Sequence, residues 1–490
     1  MKNVANRARA YILLAVCVLL GVMPGAAPAM ADGSSSSYNY SYWGEPVASP
    51  AAYQATELWT GDSLGTGPLK DPSDMHVTPD GDIYVLDTGN NRILILDSQF
   101  KLKRIIDSFK QDGAVQTFQS PLGLFVTENK DLYIADTGNR RVVQLDSGDN
   151  VVKVIDSPQS EQLPENFTFQ PVRLVVDKAQ RLYVMATGVY DGFMEFNSGG
   201  DFTSFIGANK VTIDPVEYFW KRISTQAQRS QMVMYTPTEF SNLDINEEGF
   251  IYATNGQRSN NVKKLNAQGS DILRRLGYWE PEGDIYATVT TGYTRLADID
   301  IGDSEMYSIL DANHGRVFTY NGDGYLLYVF GGMGNQLGYF NTPAALERIG
   351  DDFIVLDKAL GEITVFRSTE YGRTLNQAVR SYYNGDEEQA LQLFRQTINM
   401  NANLDFAYSG IGKAILRQGD YAEAMKYFKQ SMDKTNYSKA YLLYRKQVLR
   451  AHFTEIVAAV FLLVIAVFAW IKFRKMKVRK KVVPREQRAG

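Results

Sequence analysis

Four polar residues with the chemistry to bind a ligand recur at one position of a repeated segment. They are Asp74, Arg173, Asn242 and Asp298, and the two remaining copies carry Gly123 and Ala345 at the same position. Carboxylate, amide and guanidinium groups brought together in this way can bind a polar ligand such as a sugar. The carboxylate and amide oxygens are also the ligands that a hard cation such as Ca²⁺ prefers. The competing interpretation is that these residues simply form a polar, hydrated surface with no dedicated ligand.

The evidence for an enzyme is thinner. The sequence has three histidines, His76, His314 and His452, and they occupy unrelated positions, which argues against a histidine-rich zinc site. No G-x-S-x-G nucleophile elbow or phosphate-binding loop stands in a suitable context. We therefore expect no catalytic residue and no cofactor, and keep a calcium-dependent, lactonase-like hydrolase as the alternative because the oxygen ligands are of the right type.

The elements that position these residues follow from an internal repeat. DTGNNRILIL at 87–96 returns as DTGNRRVVQL at 136–145. Alignment on this segment finds six copies, at Asp87, Asp136, Ala186, Asn255, Asp311 and Asp357. Each unit contains short apolar-alternating runs separated by turn residues, which predicts a four-stranded antiparallel meander. Six such units at intervals of 46 to 69 residues predict a mainly β fold, a six-bladed β-propeller over 51–368.

The sixth unit supplies only three strands, so we expect residues 51–59 to provide the fourth and close the ring. The repeated loops are expected to be structural. Their acidic residues, Asp87, Asp136 and Asp311, can accept backbone hydrogen bonds and hold a turn. Five residues after each of them comes an arginine, and we expect Arg92, Arg141 and Arg316 to reach a carboxylate of a neighbouring blade.

The repeated units resemble the NHL-repeat family, whose signature runs through P-x-G-[IV]-x-V and G-x-[IL]-Y-V-x-D-x-x-N-x-R-[IV]. The second unit, PLGLFVTENKDLYIADTGNRRVVQL at 121–145, is the most similar, the first is similar, and the remaining four are looser. The resemblance implies a six-bladed propeller across about residues 52–368. Ala186 and Glu362 depart from the aspartate and arginine positions, so their blades are expected to lack the inter-blade contact.

Both ends of the chain carry sequence features that predict export and membrane anchoring. Residues 1–31 have a basic start, an apolar stretch and a small-residue cleavage site, which predicts a signal peptide that contains the single cysteine, Cys17. A Ser/Tyr-rich linker is expected at 32–50. The apolar segment 453–473 predicts a transmembrane helix, and the basic residues of 474–490 predict a cytoplasmic tail. The protein is thus expected in the cell membrane with one span, its N-terminal domains outside the cytoplasm and its C-terminus inside.

The charge balance narrows the choice of partner. Without three cations of the predicted signal peptide, and without nine cations and Glu486 near the C-terminus, 39 Lys and Arg remain against 54 Asp and Glu, a net charge of about −15. Nucleic acid is therefore a poor partner, because a polyanion requires a basic surface.

A second repeat precedes the predicted span. The segment LNQAVRSYYNG, which begins at Leu375, and the segment YSGIGKAILRQG share a spacing of 34 residues, which aligns small and aromatic positions such as Ala378 with Gly412 and Phe394 with Phe428. The pattern resembles tetratricopeptide repeats, which implies a small all-α module over 372–450. With two clear repeats, binding of a peptide in its groove and service as a rigid spacer stay equally open.

Two long insertions carry aromatic residues that could stack on a sugar or pack on a protein partner. The insertions are 208–238 and 277–294, and the residues are Tyr218, Phe219, Trp220, Tyr278 and Trp279. In a meander, the loops that contain the repeated DTG segments (the DTG loops) and both insertions would lie on one face of the propeller, and the helical module would lie on the other face. The sequence thus favours a membrane-anchored extracytoplasmic binding or scaffolding protein with a carbohydrate or protein partner, whose helical module docks near the membrane.

Overall fold

Six β-sheets form a closed ring in the computed structural model, which describes residues 37–163, 167–209, 238–286 and 292–480, with side chains described as far as Met476. The first strand of each sheet packs against the first strand of the next, and the sixth returns to the first. The fold is therefore a six-bladed β-propeller, and its first strands surround a central channel.

The strands of each blade follow one another antiparallel. Blade 1 comprises Asp74–Val77, Ile83–Asp87, Arg92–Leu96 and Leu102–Ile106; blade 2 Gly123–Val126, Leu132–Asp136, Arg141–Leu145 and Val151–Ile155; blade 3 Pro171–Val176, Leu182–Ala186, Gly192–Phe196 and Phe202–Gly207. Blade 4 comprises Phe240–Ile245, Ile251–Asn255 and Val262–Leu265; blade 5 Leu296–Ile301, Tyr307–Asp311, Arg316–Tyr320 and Leu326–Gly331; blade 6 Pro343–Ile349, Asp352–Asp357 and Glu362–Ser368.

The N-terminal strand Tyr53–Thr60 completes blade 6. It runs antiparallel to Glu362–Ser368, with Tyr53 opposite Ser368 and Thr60 opposite Glu362. Because the two ends of the propeller share one sheet, the ring cannot open without breaking these backbone hydrogen bonds. A separate hairpin, Ser108–Gln111 with Ala114–Thr117, lies between blades 1 and 2.

The core consists of layers between successive blades. Ile93 and Ile95 of blade 1 pack with Ile134 and Val143 of blade 2 in one cluster. The second strands of blades 1, 2, 4 and 5 are buried along their whole length, since each is covered on both sides by a neighbouring blade. Burial of such aliphatic side chains stabilises the fold by about 1.5–3 kcal/mol each.

We call the side of the ring where the first strands begin the upper face, and the side of the turns between first and second strands the lower face. The loops between second and third strands lie on the upper face, because strand direction alternates through the blade. Thr88–Asn90 and Thr137–Asn139 in these loops form short 3₁₀ turns.

Six helices follow the propeller in the part of the chain that the structure describes, 370–480. They are α1 Glu370–Asn384, α2 Glu387–Met400, α3 Asp405–Gln418, α4 Tyr421–Gln430, α5 Lys434–Ala451 and α6 Phe453–Lys480. Each of the first four packs against the next. Gly385 and Gly419 end α1 and α3 in the left-handed conformation, at φ 83° and 90°, which glycine adopts without strain. Phe394 and Phe428 are fully buried at equivalent points of the two hairpins, and the tetratricopeptide likeness itself stays a prediction.

The helical region shares a hydrophobic core with blades 5 and 6. Tyr371 and Leu375 of α1 join one cluster with Tyr53 and Phe353 of the propeller. Within it, the Asn376 amide donates to the Tyr53 hydroxyl at 2.9 Å and accepts from the Tyr328 hydroxyl at 3.0 Å. This buried network joins the two parts into one unit.

Ion pairs place the helices on the lower face. Arg380 contacts Asp303 at 2.6 Å and Asp351 at 2.7 Å, two residues in turns between first and second strands. Lys413 lies 3.7 Å from Asp323, in the turn between the third and fourth strands of blade 5. The helices therefore pack opposite the DTG loops, as the alternation of strand direction predicts.

Residues 38–48 form a hairpin, Tyr38–Tyr40 with Pro46–Ala48, where a linker was expected. The Asn39 amide donates to the carbonyls of Leu326 and Leu327 at 3.3 and 3.2 Å, so the hairpin is fixed to the outer strand of blade 5. The expectation of a linker over 32–50 is therefore wrong for this part, because the tyrosines that made the segment look low in complexity pack against blade 5.

Helix α6 could span a membrane. Its segment Phe453–Met476 has 24 residues and a mean hydropathy of 2.7, and none of its most apolar window is buried. At ~1.5 Å per residue it is longer than the ~30 Å hydrocarbon layer. No residue of α6 belongs to a hydrophobic cluster of the described residues. The predicted signal peptide and residues 481–490 lie outside the described residues.

Candidate functional site

The channel wall is built from the first strand of every blade. The four polar residues singled out in the sequence, which we call the upper ring, all lie on these strands: Asp74, Arg173, Asn242 and Asp298. Asp74, Asn242 and Asp298 are buried. The structure therefore brings the set together around one channel, and the question is what their polar atoms contact.

The carboxylates of the upper ring bind the next blade. Asp74 Oδ2 accepts from the backbone N–H of Leu124 at 2.9 Å, across the junction of blades 1 and 2. Asp298 Oδ2 accepts from the N–H of Leu346 at 2.6 Å, across the junction of blades 5 and 6. Asn242 donates to the Ala297 carbonyl at 3.1 Å and to Asp298. These side chains join neighbouring blades.

Arg173 spans three blades. Its guanidinium donates to the Ser73 carbonyl of blade 1 at 2.9 Å and to the Leu122 carbonyl ahead of blade 2. Gly123, which shares the ring position, permits this approach, because a Cβ there would lie 2.5 Å from the Val172 carbonyl oxygen. Burial raises the pKa of the Asp74 carboxyl, although Arg173 opposes the rise, and burial holds the pKa of Asp298 well above its usual range.

Ca²⁺ does not fit these residues. The carboxylate oxygens of the upper ring accept from separate backbone N–H groups rather than converging on a common point. Asp74 Oδ2 and Asp298 Oδ2 accept from the next blade, and Asp298 Oδ1 accepts from Ile299 of its own strand. Among residues 37–163, 167–209, 238–286 and 292–480, no group of three or more His, Cys, Asp or Glu could hold a metal ion. The donor set that made a calcium-dependent hydrolase the alternative is thus committed to joining blades.

A second ring, which we call the lower ring, was missed in the sequence. It consists of His76, Asp244, Asp300 and Glu347, each two residues after an upper-ring position. Because alternate side chains of a strand share a face, a count of two from each aligned position would have found it. Asp244 Oδ2 accepts from the N–H of Ile301 at 3.1 Å, and Glu347 Oε2 accepts from the N–H of Val77 at 3.3 Å. These carboxyl groups also join adjacent blades.

The lower ring holds its carboxyl groups in an environment that favours protonation. Burial, with Glu347 and Asp300 close by, raises the pKa of Asp244 to about 8. Burial also holds the pKa of Glu347 well above its usual range, and lowers the pKa of His76. Asp300 keeps a partner, since the Arg348 Nε donates to its Oδ2 at 2.7 Å. A cavity of about 470 Å³ opens below this ring.

The DTG loops of blades 1 and 2 fix the segments that lead into these two blades. Asp87 Oδ1 accepts from the N–H of Lys70 at 2.7 Å, and its Oδ2 accepts from Arg92 Nε at 2.8 Å. Asp136 repeats the pattern with the N–H of Gln119 and with Arg141 Nε, both at 2.8 Å. Arg92 and Arg141 therefore pair within their own blade, and the expected pairing with a neighbouring blade is wrong. The third strand begins opposite the end of the second, which brings each arginine directly beside its own aspartate.

The third pair of this kind is rearranged. Arg316 reaches Asp284 at 2.7 Å in the segment after blade 4, and also contacts the Tyr38 hydroxyl at 3.1 Å. Asp311 instead accepts from the N–H of Arg295 at 3.0 Å and lies 2.5 Å from His314 Nδ1. Asp311 and Arg316 thus fix connecting segments rather than each other.

The 277–294 insertion lies elsewhere than expected. The Tyr278 hydroxyl donates to the Ser431 carbonyl in the helical region, and its ring packs edge-on against Tyr325. The Trp279 indole N–H donates to the Ser41 carbonyl at 3.1 Å. The prediction that these aromatic residues mark the face opposite the helices is therefore wrong: they fill the junction between propeller, hairpin and helices. Tyr218, Phe219 and Trp220 lie outside the described residues.

The upper face has its own cavity, of about 440 Å³, at the mouth of the channel. Its walls include the apolar side chains Met185, Val189 and Phe240. Its charged residues are Arg173, Arg295, Lys358 and Glu239. Lys358 Nζ makes no hydrogen bond or ion pair with a residue that the structure describes, and Arg295 has the Asn313 side chain as its polar partner at 3.2 Å. This upper cavity combines apolar walls with an excess of positive charge.

Comparisons with known proteins place a family repeat in blade 1. Residues 69–96 match the NHL repeat, which confirms the resemblance there. No curated protein matches the chain. The chain is similar to the solved structures of virginiamycin B lyase from Staphylococcus aureus (10% identity, 65% of this chain and 99% of that one, TM-score 0.40) and of a putative gluconolactonase (13%, 66% and 94%, 0.39). A protein of unknown function from Bacteroides thetaiotaomicron is similar at 13% identity, over 69% of this chain and 76% of that one, with a TM-score of 0.40. The first three strands of blade 1 are thus an NHL repeat within a six-bladed propeller.

Proposed function

We propose that this chain is a membrane-anchored binding protein that takes a small organic anion in the upper cavity. The observation that carries the proposal is the composition of that cavity, in which Arg173, Arg295 and Lys358 face a single carboxylate, Glu239. A volume of about 440 Å³ suits a small ligand, and its apolar walls can cover the uncharged part of the molecule. Local cations in a protein that is acidic overall provide selectivity for a monoanion over a polyanion.

Three further features support a binding role rather than a catalytic one. The carboxyl groups of both rings are occupied by bonds between blades, and Glu239, the one carboxylate that lines the upper cavity, accepts from the N–H of Gly188 at 3.1 Å. Helix α6 supplies the anchor, and the signal peptide expected at 1–31 puts the propeller outside the cytoplasm. The helices pack on the lower face, so the upper cavity opens away from them and from the membrane.

Matched pairs of ligands test the proposal by isothermal titration calorimetry. Glucuronate against glucose, and benzoate against benzamide, differ mainly in the carboxylate. We expect binding of at least one of the anions and none of its neutral counterpart. The double variant Arg295→Gln/Lys358→Gln should bind that anion at least tenfold more weakly, since each charge-assisted hydrogen bond contributes about 1.5–3 kcal/mol.

The matched control is Lys101→Gln/Lys110→Gln, which removes two exposed cations distant from the cavity. It should bind as the parent protein does. Equal binding of each anion and its neutral counterpart, no binding of either anion, or unchanged affinity in the Arg295/Lys358 variant would overturn the proposal.

A further inference from the structure

We infer that α5 is a membrane-surface helix that binds anionic phospholipid headgroups and sets the height of the propeller above the bilayer. This inference rests on the membrane anchoring proposed above. It concerns the exposed part of a helix whose other residues, among them Tyr437 and Ala440, pack on the core. In α5, Lys434–Ala451, only Ala440 is fully buried, and every residue from Tyr444 to Ala451 is exposed.

The charge of α5 is of one sign. It carries five cations and no acidic residue: Lys434, Lys439, Arg445, Lys446 and Arg450. Lys434 Nζ contacts the Tyr42 hydroxyl at 3.2 Å. The other four make no ion pair with any residue that the structure describes. A run of unpaired cations is unusual in a region with a net charge of about −15, and it is complementary to an anionic surface.

The apolar residues of α5 suit the same partner. Tyr441, Tyr444 and Val448 are spaced by three and four residues and so share one side of the helix, and all three are exposed. Arg445 lies one turn after Tyr441 and borders this side, whereas Lys439, Lys446 and Arg450, spaced by seven and four, share the opposite side. A tyrosine with a neighbouring cation is typical of the membrane–water interface, where the ring enters the headgroup layer and the cation meets phosphate.

The position of α5 provides the third argument. His452 alone separates its last residue from Phe453, the first residue of α6. Once α6 crosses the bilayer, the exposed end of α5 lies at the surface, where its cations come within reach of lipid phosphates. A protein partner would not require this continuity with the span, so we commit to lipid.

The experiment uses residues 32–452, which lack the span; their fold does not depend on α6, because no hydrophobic cluster of the described residues includes it. Co-sedimentation is measured with phosphatidylcholine vesicles containing 30% phosphatidylglycerol, and with phosphatidylcholine vesicles alone. We expect binding to the anionic vesicles only, and its loss in high salt. Lys439→Gln/Lys446→Gln/Arg450→Gln should reduce partitioning by on the order of a hundredfold.

The control Lys101→Gln/Lys110→Gln/Arg140→Gln removes the same charge from exposed positions of blades 1 and 2, and should bind as the parent does. Equal binding to both vesicle types, no binding to either, or equal losses in the two triple variants would overturn the inference. Carbonate extraction of the full chain tests α6 separately: a resistant chain whose 32–452 fragment ignores anionic lipid leaves the anchoring intact and refutes the role of α5.

Discussion

Replacement of Asp244 by asparagine should remove a pH dependence of stability that the lower ring creates. Burial and the neighbouring Glu347 and Asp300 raise the pKa of Asp244 from 3.8 to about 8. A carboxyl group with a raised pKa binds a proton on folding. Its contribution is therefore fully present below about pH 4 and is lost as the pH rises through about 8.

The magnitude follows from the pKa of about 8 in the folded state. In the window between the two pKa values, each pH unit costs about 1.4 kcal/mol. The slope flattens near pH 8, so the loss between pH 6 and pH 8 is about 2.3 kcal/mol. At roughly 2 °C per kcal/mol for a domain of this size, the parent should lose about 5 °C more in Tm than the variant.

The assay is thermal unfolding of residues 32–452 at pH 6, 7 and 8, followed by circular dichroism. Asp244→Asn carries a neutral amide at every pH, so its Tm should change little between pH 6 and pH 8, whereas the Tm of the parent falls as Asp244 ionises. Asp156→Asn, at an exposed position, controls for general charge effects. Parallel curves for parent and Asp244→Asn would mean that this carboxyl titrates normally, and the reasoning about the lower ring would be refuted.

Further predictions concern loops and the junction. Asp136→Ala leaves the partly buried Arg141 guanidinium without its carboxylate partner, so the free energy of unfolding measured in urea should fall by about 3 kcal/mol. Asp156→Ala should cause no comparable change. Asn376→Ala removes the acceptor of the buried Tyr328 hydroxyl at the helix–propeller junction, whereas the Tyr53 hydroxyl keeps the Asp351 carbonyl as acceptor; chemical denaturation should show a loss of about 1–3 kcal/mol, and the exposed Asn399→Ala should show none. Gly123→Ala places a Cβ 2.5 Å from a carbonyl oxygen of blade 3, and its Tm should fall; an unchanged Tm would mean that blades 2 and 3 are not held so closely.

Much of the propeller could be predicted because its information is local and repeated. The DTG segments and the alternating strands recur six times, so a misread unit is corrected by its neighbours. The 34-residue spacing similarly located Phe394 and Phe428, both fully buried. The strand Tyr53–Thr60 lies where 51–59 was expected to close the ring.

The site was harder to predict because it depends on which groups of neighbouring strands and segments each side chain is directed at. Alignment placed Asp74 and Asp298 in one ring but did not reveal that their carboxylates accept from the adjacent strand. Arg92 was assigned to the wrong partner because pairing between strands, not distance along the chain, decides its neighbour. Tyr278 was assigned to the wrong face because an insertion is free to run down the outside of a blade.

The most direct test of the central claim, a propeller held outside the cytoplasm by α6, is cysteine labelling in intact bacterial cells. In a Cys17→Ser background, Ser147→Cys introduces a thiol at an exposed turn of blade 2, and Gly490→Cys introduces one at the C-terminus. A membrane-impermeant maleimide should label the first in intact cells and the second only after lysis. Labelling of Gly490→Cys in intact cells, or protection of Ser147→Cys until lysis, would contradict the account.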